Sequence, residues 1–206
     1  MEHREYFNRR LHSLLGVVPI GLFVVQHLVI NHFAVYGEES FNKAANFMAS
    51  LPFVGALEIF VIYLPILFHA ILGVYIALWI PSLNNKSYGY FRNWMYTFQR
   101  ITGIITLIFI AWHVWQTKIQ LLLGNATLDY ALMEDILSQP FFFWFYIISL
   151  IAIVFHLANG LWSFCVHWGI AQSPRSQKIV TYLTVIVFFV VSYIGIRTVI
   201  QFGIGA

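Results

Sequence analysis

The sequence has very little charge. Of its 206 residues 9% are Asp, Glu, Lys or Arg and 60% are hydrophobic, whereas an ordinary soluble domain carries about 25% charged residues. A chain this poor in charge cannot cover itself with a solvated surface, so most of its surface must face lipid. The formal net charge of +3 forms no basic stripe. The charges stand at segment ends, which argues against nucleic acid as a partner and makes them topology signals. Cysteine is nearly absent. Cys165 stands alone in an apolar run, which excludes an internal disulfide. No stretch is long enough for a soluble catalytic domain, so any chemistry on a soluble substrate must come from a partner chain. A cleaved leader is not expected either. The first apolar run follows Arg9 and Arg10, but it is too long for a signal-peptide core and shows no small-residue cleavage site.

What is present is a series of long uncharged runs. No charge falls between Arg10 and Glu38, Glu58 and Lys86, Arg100 and Lys118, Asp135 and Arg175, or Lys178 and Arg197. A membrane span needs roughly 20 mostly apolar residues. The runs predict helices near 11–33, 56–80, 98–122, 141–168 and 178–202. The long fourth run is one helix plus an interfacial loop, because Pro140 and Pro174 bracket it. Pro19 and Pro65 should kink the first and second helices, each freeing a carbonyl. The expected fold is an all-α membrane protein, one integral-membrane domain over residues 1–206 with five transmembrane helices.

Basic residues set the orientation. Arg4, Arg9, Arg10, Lys86, Arg92, Arg100, Arg175 and Lys178 fall on one side, and Lys43, Lys118 and Arg197 on the other. The first side is expected to be cytoplasmic, with the N-terminus in and the C-terminus out. Glu38, Glu39, Glu58, Asp129, Glu134 and Asp135 fall outside.

Ionisable residues within a span are costly and default to functional hypotheses. His27, His69, His113 and His156 lie well inside the first, second, third and fourth helices, one in each, and the fifth has none. At ~1.5 Å per residue, His27 lies about 25 Å from Arg10, and His113 about 20 Å from Arg100. Both fall towards the outer end. His69 and His156 each lie about 18 Å from the inner ends of helices running the other way. Depth therefore favours an outer pair, His27 with His113, and an inner pair, His69 with His156. Zinc or non-haem iron wants three or four ligands converging on one point, often carboxylates or thiolates, and no acid stands near these histidines. Two histidines on opposite faces of a flat macrocycle suit haem. The first four helices are thus expected to form a haem-binding bundle. Gly73 and Gly160 follow His69 and His156 by four residues, one turn away on the same face. Gly16, Gly21 and Gly103 offer similar room on the other two helices.

Further candidates surround these four. Arg10, His12, Ser13 and Arg100 stand at the inner helix ends, where they suit either haem propionates or interfacial anchoring. Asn159 is one turn from His156, and His167 shares its face three turns nearer the cytoplasm. His3 and His32 read as interfacial. Glu58 precedes His69 by eleven residues, on nearly the same helix face and nearer the outside. Beside the outer pair it is the candidate for passing protons, or else an exposed helix-start acid.

Taken together, several segments are specific. They are Arg9-Arg10-Leu11-His12-Ser13-Leu14-Leu15-Gly16, Gln26-His27, Leu57-Glu58-Ile59-Phe60, Phe68-His69-Ala70, Phe91-Arg92-Asn93-Trp94, Gln99-Arg100-Ile101-Thr102-Gly103-Ile104, Trp112-His113-Val114-Trp115, Asn159-Gly160-Leu161-Trp162-Ser163 after His156, and Ser173-Pro174-Arg175-Ser176-Gln177. Through them almost the whole chain resembles the di-haem cytochrome b membrane anchors of succinate:menaquinone oxidoreductases of Bacillus-like bacteria. The resemblance implies a multi-pass subunit of the bacterial cell membrane holding two haems b. It implies His27 and His113 as ligands of the outer haem, and His69 and His156 of the inner. It also implies a flavoprotein subunit and an iron–sulfur subunit on the cytoplasmic side, with menaquinone as electron acceptor. The dehydrogenase active site would lie in those partners. Val154 stands where some fumarate-reducing relatives carry a glutamate used in proton transfer. Two other readings fit the same residues: a haem b anchor of a hydrogenase or formate dehydrogenase, and a haem-free transporter or scaffold with a histidine proton relay.

Overall fold

A computed structural model describes residues 2–80 and 89–205, with side chains from residue 5 onward. Pro81 and Lys86, used above as a helix end and an orientation signal, lie outside the described residues, as do the side chains of His3 and Arg4. Among the described residues regular structure is helical only. Five helices are long and apolar enough to cross a membrane: α1 (Glu5–Tyr36), α3 (Val54–Trp79), α4 (Phe91–Leu122), α6 (Pro140–His167) and α7 (Pro174–Ile204). Two shorter helices, α2 (Glu38–Ala49) and α5 (Tyr130–Leu137), precede α3 and α6.

The expected spans are all present, and most run past their expected ends. Arg92, Arg100, Arg175 and Lys178 are themselves helical. Charge marks where lipid ends, not where the helix ends. Helix α7 begins at a true stop, because Ser173 accepts from the Ser176 N–H (3.1 Å) while Ser176 Oγ accepts from the Ser173 N–H (3.0 Å). Such a capping box, with Pro174 in the first turn, contributes about 1 kcal/mol.

Both prolines stand at irregular points of their helices, each of a different form. Helix α1 is interrupted at Val18, just before Pro19. Helix α3 instead widens into a π-type turn over Glu58–Tyr63, and the Leu64 N–H reaches Ile59 O, five residues back. The wide turn absorbs the bond that Pro65 cannot donate. A second wide turn occupies Trp115–Ile119 of α4, where no proline stands.

Helix α1 packs on α3 and α6, and α4 also packs on α3 and α6. The four helices close a ring in which α1 faces α4, and α3 faces α6, across the diagonals. Helix α7 lies outside the ring against α6 and α1. Gly195 allows this approach, since a Cβ there would meet the Leu150 side chain at 2.7 Å. His32, expected at the interface, fastens α1 to α7 through Ile194 O and Thr198 Oγ1, both at 3.1 Å.

The fully buried apolar clusters lie away from the middle of the ring. One gathers Phe41, Tyr130, Leu137, Tyr146 and Phe202 where α2 and α5 cover one end. The other joins Leu150 and Val154 of α6 to Val191 of α7. Val154 is completely buried there, facing α7. Outward-facing residues such as Leu22, Phe60 and Phe189 are largely exposed, as lipid-facing positions are. The middle of the ring is lined by histidine and glycine instead.

Candidate functional site

His69 and His156 meet across the α3–α6 diagonal, with ring centres 6.2 Å apart and planes at 85°. Each ring is held by its Nδ1. His69 Nδ1 donates to the His12 carbonyl at 3.0 Å, and His156 Nδ1 to the Gln99 carbonyl at 3.1 Å. A carbonyl only accepts, so the proton sits on Nδ1 and Nε2 is free. His12 stacks on His69 at 3.8 Å between ring centres and 9° between planes.

His27 and His113 meet across the other diagonal, with centres 6.0 Å apart and planes at 77°. His113 Nδ1 lies 3.1 Å from the Tyr146 hydroxyl, which donates to Gln116 Oε1 at 3.2 Å. Phe109 stacks on His113 and meets Tyr146 edge-on.

The spacing of both pairs suits a metal macrocycle held between them. Two imidazoles on opposite sides of one metal, each bound through nitrogen at about 2.0–2.1 Å, have ring centres about 6 Å apart. Both pairs have that spacing. Metal-bound histidines usually donate their second ring N–H to a carbonyl or similar acceptor, as His69 and His156 do. The inner rings also lie against glycine. A Cβ on Gly16 would meet His69 Cε1 at 2.5 Å, and one on Gly103 would meet His156 Cε1 at 3.0 Å. Among the described residues, Arg10 Nε, His12 Nδ1, Arg100 Nη1 and Trp168 Nε1 are buried nitrogens without a partner. All four can donate, a set suited to an anionic group such as a propionate. The residues present fit haem. No cluster of three or more His, Cys, Asp or Glu among the described residues is placed to hold a bare ion.

The other sequence candidates divide. Arg10 lies over the Trp168 ring at 4.4 Å, at the same end as His12. Arg100 caps the end of α3, bonding Ala77 O and Ile80 O. Gly73 faces His12, at 3.4 Å from a built Cβ to Cε1. Asn159 donates to Gln99 Oε1 at 2.8 Å and to Met95 O at 3.2 Å, while Gln99 Nε2 donates to His156 O at 3.0 Å. Gly160 lies against that Gln99 side chain. Ser13 is half-buried in α1. His167 is exposed and folds back on Ser163 O at 2.9 Å, apart from the inner pair. Glu58 is joined by both carboxylate oxygens to Lys118 Nζ, at 2.7 and 2.8 Å. The pair links the wide turn of α3 to that of α4. Sequence reasoning missed Gln99, Tyr146, Gln116 and Lys118 as members of the site. The signal for Gln99 was its adjacency to Arg100 on a face one turn from Gly103. Tyr146 and Lys118 carry no local signal.

Residues 83–196 match the family described as succinate dehydrogenase/fumarate reductase transmembrane subunit. The chain is also 53% identical over 200 residues to the succinate dehydrogenase cytochrome b558 subunit of Bacillus subtilis (strain 168), covering 97% of this chain and 98% of that one. With five apolar spans and a likeness that runs almost end to end, the chain belongs to the succinate dehydrogenase/fumarate reductase transmembrane subunit family.

Proposed function

We propose that the chain is the membrane anchor and electron-transfer subunit of a succinate:menaquinone oxidoreductase. It holds two haems b and carries electrons from an iron–sulfur subunit, itself served by a flavoprotein subunit, to menaquinone. The observation that carries this reading is the pair of histidine couples, 6.0 and 6.2 Å between ring centres, on the two diagonals of one helix ring. The name of the B. subtilis relative, a cytochrome b558, supports the same cofactor.

His27 and His113 are the outer ligands, and His69 and His156 the inner. The Nδ1 hydrogen bonds of His69 and His156 keep the proton on Nδ1 and leave Nε2 as the nitrogen that would bind iron. Arg10, His12 and Arg100 neutralise acid groups at the end where the N-terminus lies. By the distribution of basic residues that end is cytoplasmic, where the soluble partners dock. Haem, when bound, supplies one-electron carriage, and the protein supplies its orientation and electrostatics. Glu58 and Lys118 stand at the opposite end, where quinone is reduced and protons are taken up.

A reduced-minus-oxidised visible spectrum of the purified complex, with haem and protein quantified, tests the reading. Two haems b per chain are expected. One haem, or none, sinks it. The glycine cradle gives a second expectation. Gly16→Ala places a methyl against His69 and should lower inner haem content. Gly55→Ala, where a Cβ meets nothing within 4 Å, should leave it unchanged. Equal haem content in both variants would remove the cradle from the account.

A further inference from the structure

We infer that Tyr146 and Gln116 are positioning residues that set the proton arrangement of His113 and thereby the potential of the outer haem. The inference rests on the reading of His113 as an iron ligand.

An imidazole can bind a metal through Nε2 only when its proton is on Nδ1. His113 Nδ1 is 3.1 Å from the Tyr146 hydroxyl, which must then accept. The hydroxyl's own proton needs a second acceptor, and Gln116 Oε1 stands 3.2 Å away. Each bond in the row fixes the direction of the next. If Tyr146 donated to Nδ1 instead, the proton of His113 would sit on Nε2 and block the metal. Tyr146 is 4% exposed, so water does not compete for the hydroxyl. The edge contact of its ring with Phe109, at 4.9 Å between centres, holds it in place. The row also reaches the surface, because Gln116 borders a cleft of about 310 Å³ lined by Trp112, Gln120, Asn125, Asp135 and Gln139. His69 and His156 bond main-chain carbonyls, which no side-chain substitution removes. The His113 row is built from side chains and is open to replacement.

An acceptor on Nδ1–H makes the imidazole a stronger electron donor, which favours the oxidised metal. Tyr146→Phe keeps the ring and its packing and removes the acceptor. In redox titration of the purified complex, the outer haem of Tyr146→Phe should take a higher midpoint potential while the inner haem stays put. The low-temperature electron paramagnetic resonance signal of the outer haem should shift as well. Gln116→Leu, which keeps the hydroxyl but takes away its acceptor, should move the outer potential in the same direction by less. A residue that only packs would leave both readouts where they are. An outer potential that is unchanged or lower, or an equal shift of both haems, overturns the inference. Should Tyr146→Phe lose the outer haem, Gln116→Leu decides: a rise supports the inference and no change overturns it. Failure of the haem reading is distinguishable, because it shows in the unmodified complex as missing haem.

Discussion

His69→Ala should remove the inner haem, spare the outer one, and lower succinate-driven menaquinone reduction by more than about 100-fold, since even residues behind a metal ligand typically account for 10–100-fold. The reciprocal variant, His113→Ala, should lose the outer haem and keep the inner. The crossing follows from the ring geometry. His69 contacts His156 from the opposite diagonal corner, and His27 and His113 stand on the other two helices. Oxidation of succinate with a soluble dye as acceptor should survive in both variants, because the proposed function assigns that chemistry to the partner subunits. His69→Ala also takes one of the bonds to the His12 carbonyl, which keeps its helical one, and removes the stacking partner of His12. A lost hydrogen bond costs about 0.5–1.5 kcal/mol, so some loss of assembled complex is expected. Haem and rate are therefore read per assembled complex. Loss of both haems from either variant, or full quinone activity in both, would contradict the two-pair arrangement.

The parts of the fold visible in the sequence were those governed by one-dimensional rules. Uncharged runs showed the spans, because lipid excludes charge over a length that helical rise fixes. Pro19 and Pro65 showed the irregular points of α1 and α3. The form of each irregularity was not visible, since a break at Val18 and a wide turn over Glu58–Tyr63 satisfy the same lost bond differently. Helices α2 and α5 were missed because they are short and mixed in polarity. Their stability comes from tertiary contacts, such as the Tyr130 N–H bond to Asn42 Oδ1 at 2.8 Å. At the site, depth along each helix was enough to propose which histidine meets which. Partners far apart in the chain were not visible. Tyr146 comes 33 residues after His113, and Lys118 comes 60 after Glu58. His32 shows the converse. Its position near a helix end suggested an interfacial residue, and only the fold brings Thr198 of α7 against it.

Glu58 and Lys118 carry the second large effect. Reducing a quinone to a quinol takes two electrons and two protons, so under the proposed function this end needs a group that passes protons. General acid–base groups contribute typically about 10²–10⁴-fold. Glu58→Gln keeps the shape of the side chain and abolishes its charge. Menaquinone reduction should fall by about 100-fold, near the low end of that range. Both haems should remain bound and reducible by succinate, because Glu58 touches neither histidine pair. The Glu58 and Lys118 side chains are 27% and 36% exposed, so breaking the pair costs only about 1 kcal/mol of stability once screening is allowed for. A tenfold effect on rate is the most that stability alone could explain at that magnitude. Lys118→Met leaves the carboxylate without its partner and should lower the rate less than Glu58→Gln. The exchange of the two residues, Glu58→Lys with Lys118→Glu, separates two roles. If the pair only clamps the wide turns of α3 and α4 together, the exchange restores the clamp and the rate returns. If the carboxylate must stand on α3 to deliver protons, the rate stays low although the clamp is rebuilt. The second outcome is expected, and recovery of the rate in the exchanged chain would assign the pair to structure alone.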